Sequence, residues 1–358
     1  MKKAVLLFCF TAFSCVTGMS QNNTVVDSVV TYKAVTSASD KLLKSIKENK
    51  TNEEIAGNYY SLAKELTNAG NFSKAEVYIN KAIQFESNST TKKNLAEYYR
   101  ELARIQELQN KFEVASASYK KAASFSTDSV QKQLNKNDAD RLQHKSSPKV
   151  QLQYLNQNAA ILSNTSNNPE KYQNYTQMAT NNIALNKNNL ALENYRDALN
   201  TIDSNSEKSV LVKSDMVDLM AATNDYGNAI ALQKDVIAEA QNNSSVAIQV
   251  KQLRNLSDLY IKVDSTAAAL RTLEGAYRLA ITKGNLKEAK ESLNTLAEFY
   301  KKHKQDEKVA KLYIEFLGQL DNLLSRDSSL IDKKLFLVNE GKIAELEQQQ
   351  ALKDELIR

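Results

Sequence analysis

Residues that could do acid–base or metal chemistry are few and isolated in this chain. The two histidines, His144 and His303, lie in a loop-like stretch and in the basic run 301–304. A zinc site needs several ligands at short spacing, and no HExxH or paired-histidine helix occurs. The eight glycines never cluster into a phosphate-binding loop. Neighbouring carboxylates such as Asp138 and Asp140 are expected on a solvated helix or loop surface and not in a catalytic pair. The sequence therefore predicts a protein that is not an enzyme and holds no cofactor or metal.

The first twenty residues have the pattern of a secretory signal peptide. Lys2 and Lys3 precede an apolar run over residues 4–16, and small residues follow at the positions that a signal peptidase reads. The run is shorter than a membrane span, and Gln21 is predicted to begin the mature chain. We expect export to the periplasm or envelope of a Gram-negative bacterium. Residues 21–50 are expected to form an N-terminal extension and a first helix.

Both cysteines, Cys9 and Cys15, lie in this predicted signal peptide 1–20. A mature chain without them has no disulfide, no thiolate ligand and no thiol nucleophile. The alternative is a lipid anchor on Cys15, although the bulky Phe13 fits a lipoprotein signal poorly. The formal net charge of +5 comes without a block of like charges, so nucleic acid is not expected as a partner.

Helical elements are indicated by an alanine that returns at a near-constant interval. Successive members of the series are 40, 76, 38 and 40 residues apart, and 76 is twice 38. The series is Ala75, Ala115, Ala191, Ala229 and Ala269. A second series of small residues is Ala63, Ala103, Ala179, Ser257 and Ala297. Small side chains let helices cross closely, and a period in this range is typical of a stacked solenoid.

These units resemble the tetratricopeptide repeat, a pair of antiparallel helices. In the first unit the resemblance rests on Tyr59, Leu62, Ala63, Gly70, Phe72, Ala75 and Ile79. The units lack the family's tryptophan and closing proline, and they are longer than its usual repeat of about 34 residues. The resemblance implies an all-α, right-handed superhelical solenoid of six to seven repeats over residues 51–325. Residues 126–165 are expected to form a degenerate unit.

In this family the first helix of each unit lines a concave groove. The resemblance therefore implies a protein or peptide ligand held by polar residues on the inward faces of these helices. The small-residue register places there Arg100, Arg104, Gln173, Thr176, Thr180, Lys251, Arg254, Asp258, Asn294 and Glu298. The three arginines are the strongest candidates, because a planar guanidinium can hold a carboxylate with two hydrogen bonds.

The last segment, residues 326–358, departs from the repeat and has the pattern of one longer helix. Phe336, Ile343, Gln350 and Ile357 are spaced by seven, as in a short coiled-coil seam that would join a homodimer. The alternative is a capping helix folded over the last repeat, because a solenoid end needs a polar-faced cap.

The order of signal peptide, repeats and charged final helix is similar to the exported part of sensor proteins in Bacteroidetes-type bacteria. In those proteins a membrane span and a histidine-kinase or DNA-binding output follow. The resemblance implies a span after Arg358 and a ligand-sensing role in a two-component system. A free-standing periplasmic scaffold for envelope proteins is the alternative.

Overall fold

The computed structural model describes residues 29–357, which form sixteen α-helices and no strand. The first eight are α1 (Val29–Lys47), α2 (Asn52–Asn68), α3 (Phe72–Ser87), α4 (Leu95–Leu108), α5 (Phe112–Phe125), α6 (Ser129–Gln143), α7 (Pro148–Ser163) and α8 (Asn168–Ala184). The other eight are α9 (Asn188–Leu199), α10 (Glu207–Ala222), α11 (Tyr226–Asn243), α12 (Val246–Lys262), α13 (Thr266–Thr282), α14 (Leu286–Lys302), α15 (Asp306–Arg326) and α16 (Ser328–Ile357). The predicted signal peptide lies outside the described residues.

Seven helix pairs, from α2–α3 to α14–α15, stack into the predicted all-α solenoid. The small residues lie where the helices cross: all five alanines of the series that begins at Ala75 have no exposed surface. Between α12 and α13 the approach is close enough for Ser257 Oγ to donate a hydrogen bond to the main-chain oxygen of Ala269, at 3.0 Å. A larger side chain at these positions would push the two backbones apart.

The turn inside six of these seven pairs uses one left-handed backbone residue, with φ between 55° and 72°. These residues are Gly70, Asn110, Asn186, Asn224, Asp264 and Lys304, each five positions before the alanine or valine of its second helix. Glycine, asparagine and aspartate tolerate this conformation best. The next amide closes each turn on the first helix, as Asn71 N does on Leu66 O at 2.8 Å.

The degenerate stretch 126–165 contains the pair α6–α7, which has no left-handed turn residue among its described positions. Gln151 stands where the other second helices carry a small residue, and Pro148 begins α7. Buried polar side chains join the two helices: Asn137 donates to Asn158 at 2.8 Å, and Asn158 donates to Asp138 at 3.1 Å. This unit therefore packs through amides where its neighbours pack through alanines.

The C-terminal helix, α16, crosses from the last unit to the first. Phe336 and Ile343 are buried in the same core as residues of α1, α2 and α3. At its start, Thr36 Oγ1 donates to the main-chain oxygen of Asp332 at 2.9 Å, and the Asp327 carboxylate accepts from the Leu286 amide of α14 at 3.1 Å. The two ends of the solenoid are thus neighbours. This corrects the expectation of a dimer seam or of a cap on the last repeat at Phe336 and Ile343, because both are buried within one chain, against the first unit.

Candidate binding groove

Side chains from first helices two units apart meet, and this identifies the inner side of the solenoid. Arg100 and Arg104 on α4 both contact Glu170 at the start of α8, with Arg104 Nη2 at 3.1 Å from Glu170 Oε1. In a curved stack, only the inner side brings helices that are not neighbours in the chain this close together. The first helices of the units therefore line the concave face.

Arg100 is the centre of a buried ion cluster. Its guanidinium also lies 3.0 Å from Asp138 on α6, and only 8% of the residue is exposed. Burial by itself would raise the pKa of the Glu170 carboxyl, but the charges of Arg100 and Arg104 outweigh it and hold that pKa below its usual value. Glu170 is therefore charged at neutral pH and pairs with both arginines.

The prediction that Arg100 and Arg104 contact a partner stays a prediction, and the structure shows both arginines engaged with Glu170 inside the molecule. The small-residue register predicts that both side chains lie on the inward face of α4. It could not show how tightly the solenoid curves at the degenerate unit, and that curvature brings Glu170, 70 residues away in sequence from Arg100, into reach.

The three predicted residues on α12 have different surroundings. Arg254 bridges to α14, where its guanidinium lies 3.0 Å from Glu288 and 2.9 Å from Glu291. Lys251 and Asp258 are both exposed. Crowding by surrounding protein raises the pKa of the Asp258 carboxyl, and Arg254 only partly offsets this effect. Asp258 is therefore exposed, on the face of α12 that the small-residue register predicts to be inward.

The remaining predicted residues lie on α8 and α14. Thr176 and Thr180 direct their hydroxyls to main-chain oxygens of their own helix. Gln173 and Thr176 are half-buried, whereas Thr180, Asn294 and Glu298 are exposed. The structure therefore leaves Thr180, Asn294 and Glu298 accessible, together with Lys251 and Asp258.

Two acidic residues on α10 were missed by sequence reasoning. Asp215 and Asp218 are exposed, and burial of their surroundings raises both pKa values, that of Asp215 to about 6, with a further contribution to it from Asp218. Lys251 on α12 partly offsets these shifts. The available signal was the register, since Asp218 follows Val217 as Asp258 follows Ser257. This position of the register was overlooked because Val217 stands where other units carry a small residue.

Asp215, Asp218, Asp258 and Glu298, which the register predicts on the inward sides of α10, α12 and α14, are what we call the acidic face of the groove. Lys251 lies close enough to Asp215 and Asp218 to act on both. Tyr172 on α8 adjoins it: burial, and then the charge of Asp215, raise the pKa of its phenol to about 12. Carboxylates arranged in this way can bind ammonium or guanidinium groups. The groove therefore has the chemistry of a binding surface for cationic side chains.

Among residues 29–357 no group of three or more His, Cys, Asp or Glu side chains is arranged to bind a metal ion. No helix in the same part of the chain has both the length and the apolar character needed to cross a bilayer.

Comparison with known proteins shows the fold. No protein-family model and no curated protein matches the sequence. A Rap protein complexed with competence and sporulation factor is similar in structure, with a TM-score of 0.52 and 15% identity over 79% of this chain and 80% of that chain. The apo quorum sensor NprR from B. thuringiensis has a TM-score of 0.51 and 15% identity over the same shares.

A third similar structure is a signal transduction ATPase with a tetratricopeptide repeat sensor from Pyrococcus horikoshii. Its TM-score is 0.51 at 15% identity, over 88% of this chain and 53% of that chain. At this identity the likeness concerns the fold alone. The chain has the fold of a tetratricopeptide-type helical repeat protein.

Proposed function

We propose that this protein binds an extended, positively charged segment of a protein or peptide along the inner sides of α10, α12 and α14. The observation that carries the proposal is the acidic face, in which Asp215, Asp218 and Asp258 are exposed while the surrounding protein raises their pKa values. Burial of the surroundings disfavours these charges, and a cationic ligand would relieve that cost. The proposed site lies in the C-terminal half, beyond the Arg100–Glu170 cluster on α4 and α8.

The role that we propose for this binding is sensing, as the exported ligand-binding part of a histidine-kinase type signalling protein in a Gram-negative envelope. Support comes from the predicted signal peptide over residues 1–20 and from the fold, which is shared with a quorum sensor and with the sensor-containing ATPase. In this proposal, ligand binding changes the curvature of the solenoid, and the change is transmitted through its C-terminal helices.

A static scaffold for envelope proteins is the second candidate, and the ion cluster favours it. Arg100 joins α4, α6 and α8 through Asp138 and Glu170, so a buried network spans three units and resists a change in their curvature. Small-angle scattering with and without ligand separates the two roles. A sensor changes its radius of gyration on binding, and a scaffold does not.

Binding is tested with a synthetic nonapeptide rich in lysine and arginine, with an acidic peptide of equal length as the negative control. The double variant Asp215→Asn with Asp218→Asn should weaken binding of the basic peptide roughly tenfold, about 1.4 kcal/mol. Asp235→Asn is the matched control, because Asp235 is an exposed aspartate on the second helix of the same unit, α11. Equal affinities of wild type and double variant in calorimetry would refute the acidic face as the binding site.

A further inference from the structure

The bend between α15 and α16 is a single residue long. α15 ends at Arg326 and α16 begins at Ser328, so only Asp327 lies outside a helix. Its φ of −70° already suits a helix, and its ψ of 94° is extended. A helical ψ is about −42°. No proline follows the bend, and the nearest glycines are Gly318 and Gly341. Rotation about one bond would therefore join the two helices into one.

One series of exposed apolar residues keeps a seven-residue spacing through this bend. Five of them are between 47% and 64% exposed, and they are spaced by seven except where Glu345 takes the intervening place. They are Leu317, Leu324, Ile331, Val338 and Leu352. Residues seven apart fall on nearly the same side of a helix. The seven-residue spacing crosses the bend without a change of register, as it would in one continuous helix.

The contacts that hold α16 on the first unit are of two kinds, buried ones and ones that water reaches. Asn339, which is buried, donates hydrogen bonds to Ser39 at 3.0 Å and to Asp40 at 2.6 Å. Phe336 and Ile343 are its buried apolar anchors.

The ion pair between Lys81 and Glu347 measures 2.6 Å, with about 30% of each side chain exposed. Lys74 and Glu340 form a similar pair. Ion pairs exposed to this degree contribute little and are screened by salt.

We propose that α16 is a detachable strap. With Asp327 extended, α16 is docked on α1 and α3 and joins the two ends of the solenoid. With Asp327 helical, α16 continues α15 as one helix over residues 306–357, and the first unit is released from the last. The docked arrangement is the resting state, and loss of the Lys–Glu pairs shifts the population toward the released state.

Opposed substitutions at the bend test the proposal. Asp327→Ala favours a helical residue there and removes the bond from the Leu286 amide, so it should increase the released population. Ser328→Pro suits the first position of α16 and excludes a helical conformation at the preceding residue, so it should abolish release. Asp321→Ala is the control, because Asp321 is an exposed aspartate within α15.

The readout is the distance distribution between spin labels on Lys41 of α1 and Gln349 of α16, both exposed. The full chain carries Cys9→Ser and Cys15→Ser so that only the labelled cysteines react. We expect a short-distance population in the parent and the control, and a long-distance population that grows at least twofold with salt. It should grow further in Asp327→Ala and be absent from Ser328→Pro.

A single short distance in the parent at every salt concentration, unchanged in Asp327→Ala, would overturn the proposal. A long distance in Ser328→Pro equal to that of the parent would also overturn it. Circular dichroism confirms that each variant is folded, and if Asp327→Ala fails to fold, the salt series and Ser328→Pro decide the matter.

Discussion

Replacing Ala269 by leucine tests the packing that defines the solenoid. Ala269 has no exposed surface, and its main-chain oxygen lies 3.0 Å from Ser257 Oγ on the facing helix. Three added carbon atoms have no space between backbones this close, so α12 and α13 must separate. Overpacking of this kind costs about 1–3 kcal/mol. Loss of the Ser257 hydrogen bond would add about 0.5–1.5 kcal/mol.

Urea unfolding followed by circular dichroism measures this cost. Thermal unfolding gives a second measurement. In domains of 150–250 residues a loss of 1 kcal/mol lowers Tm by about 2–4 °C, so we expect Tm to fall by several degrees. Ala267→Leu is the matched control, because Ala267 is an exposed alanine in the same helix and its replacement should change stability by less than about 0.5 kcal/mol. Equal stabilities of the two variants would refute the argument that α12 and α13 require a small residue at their crossing.

Three further predictions concern the ion cluster, the acidic face and the C-terminal helix. Glu170→Gln removes one of the two carboxylates that pair with the buried Arg100. Because Asp138 still pairs with Arg100, the free energy of unfolding in urea should fall by an amount toward the lower end of about 3–5 kcal/mol. Since the pKa of Glu170 is lowered on folding, its contribution is present above the unfolded pKa and is lost as pH falls; a variant with unchanged acid sensitivity would contradict this. Asp215 affects stability in the opposite direction. Its pKa of about 6 in the folded protein exceeds its pKa in the unfolded chain, so its ionisation lowers the free energy of unfolding as pH rises from the unfolded pKa to the folded pKa. Asp215→Asn should therefore stabilise the protein above pH 6, by at most about 1 kcal/mol in view of solvent screening, and a pH series of melting temperatures measures the difference, which should vanish in acid. Phe336→Ala should cost up to about 3–5 kcal/mol in denaturant unfolding, whereas Leu337→Ala, at a half-exposed position, should cost little; equal losses would place α16 elsewhere.

Local features of the fold could be predicted from the sequence. The two series of small residues place the helix crossings correctly, because a buried contact between backbones excludes every larger side chain at that point. The left-handed turn residues obey the same period and could have been used as a second, independent marker. At α6–α7 the small-residue signal fails, since Gln151 takes the alanine position, and the pair is held by buried amides that no simple pattern reveals.

The candidate site could be predicted only in part. The register predicts the inward faces of the first helices, where Asp258 and Glu298 lie exposed. It missed Asp215 and Asp218 because Val217 interrupts the small-residue series. It also predicts that Arg100 contacts a partner, and sequence spacing does not show that Glu170 approaches from two units away.

The sequence by itself determined the helices, their pairing and the seven-residue spacing of Phe336 and Ile343, since each depends on side chains that are neighbours along one or two helices. Only the tertiary structure decided what that seam contacts and whether an arginine in the groove is free. Both outcomes depend on the curvature of the stack, which is the sum of small rotations between seven successive helix pairs. Such a sum brings the last helix to the first unit and Glu170 to Arg100, and no local stretch of sequence records it.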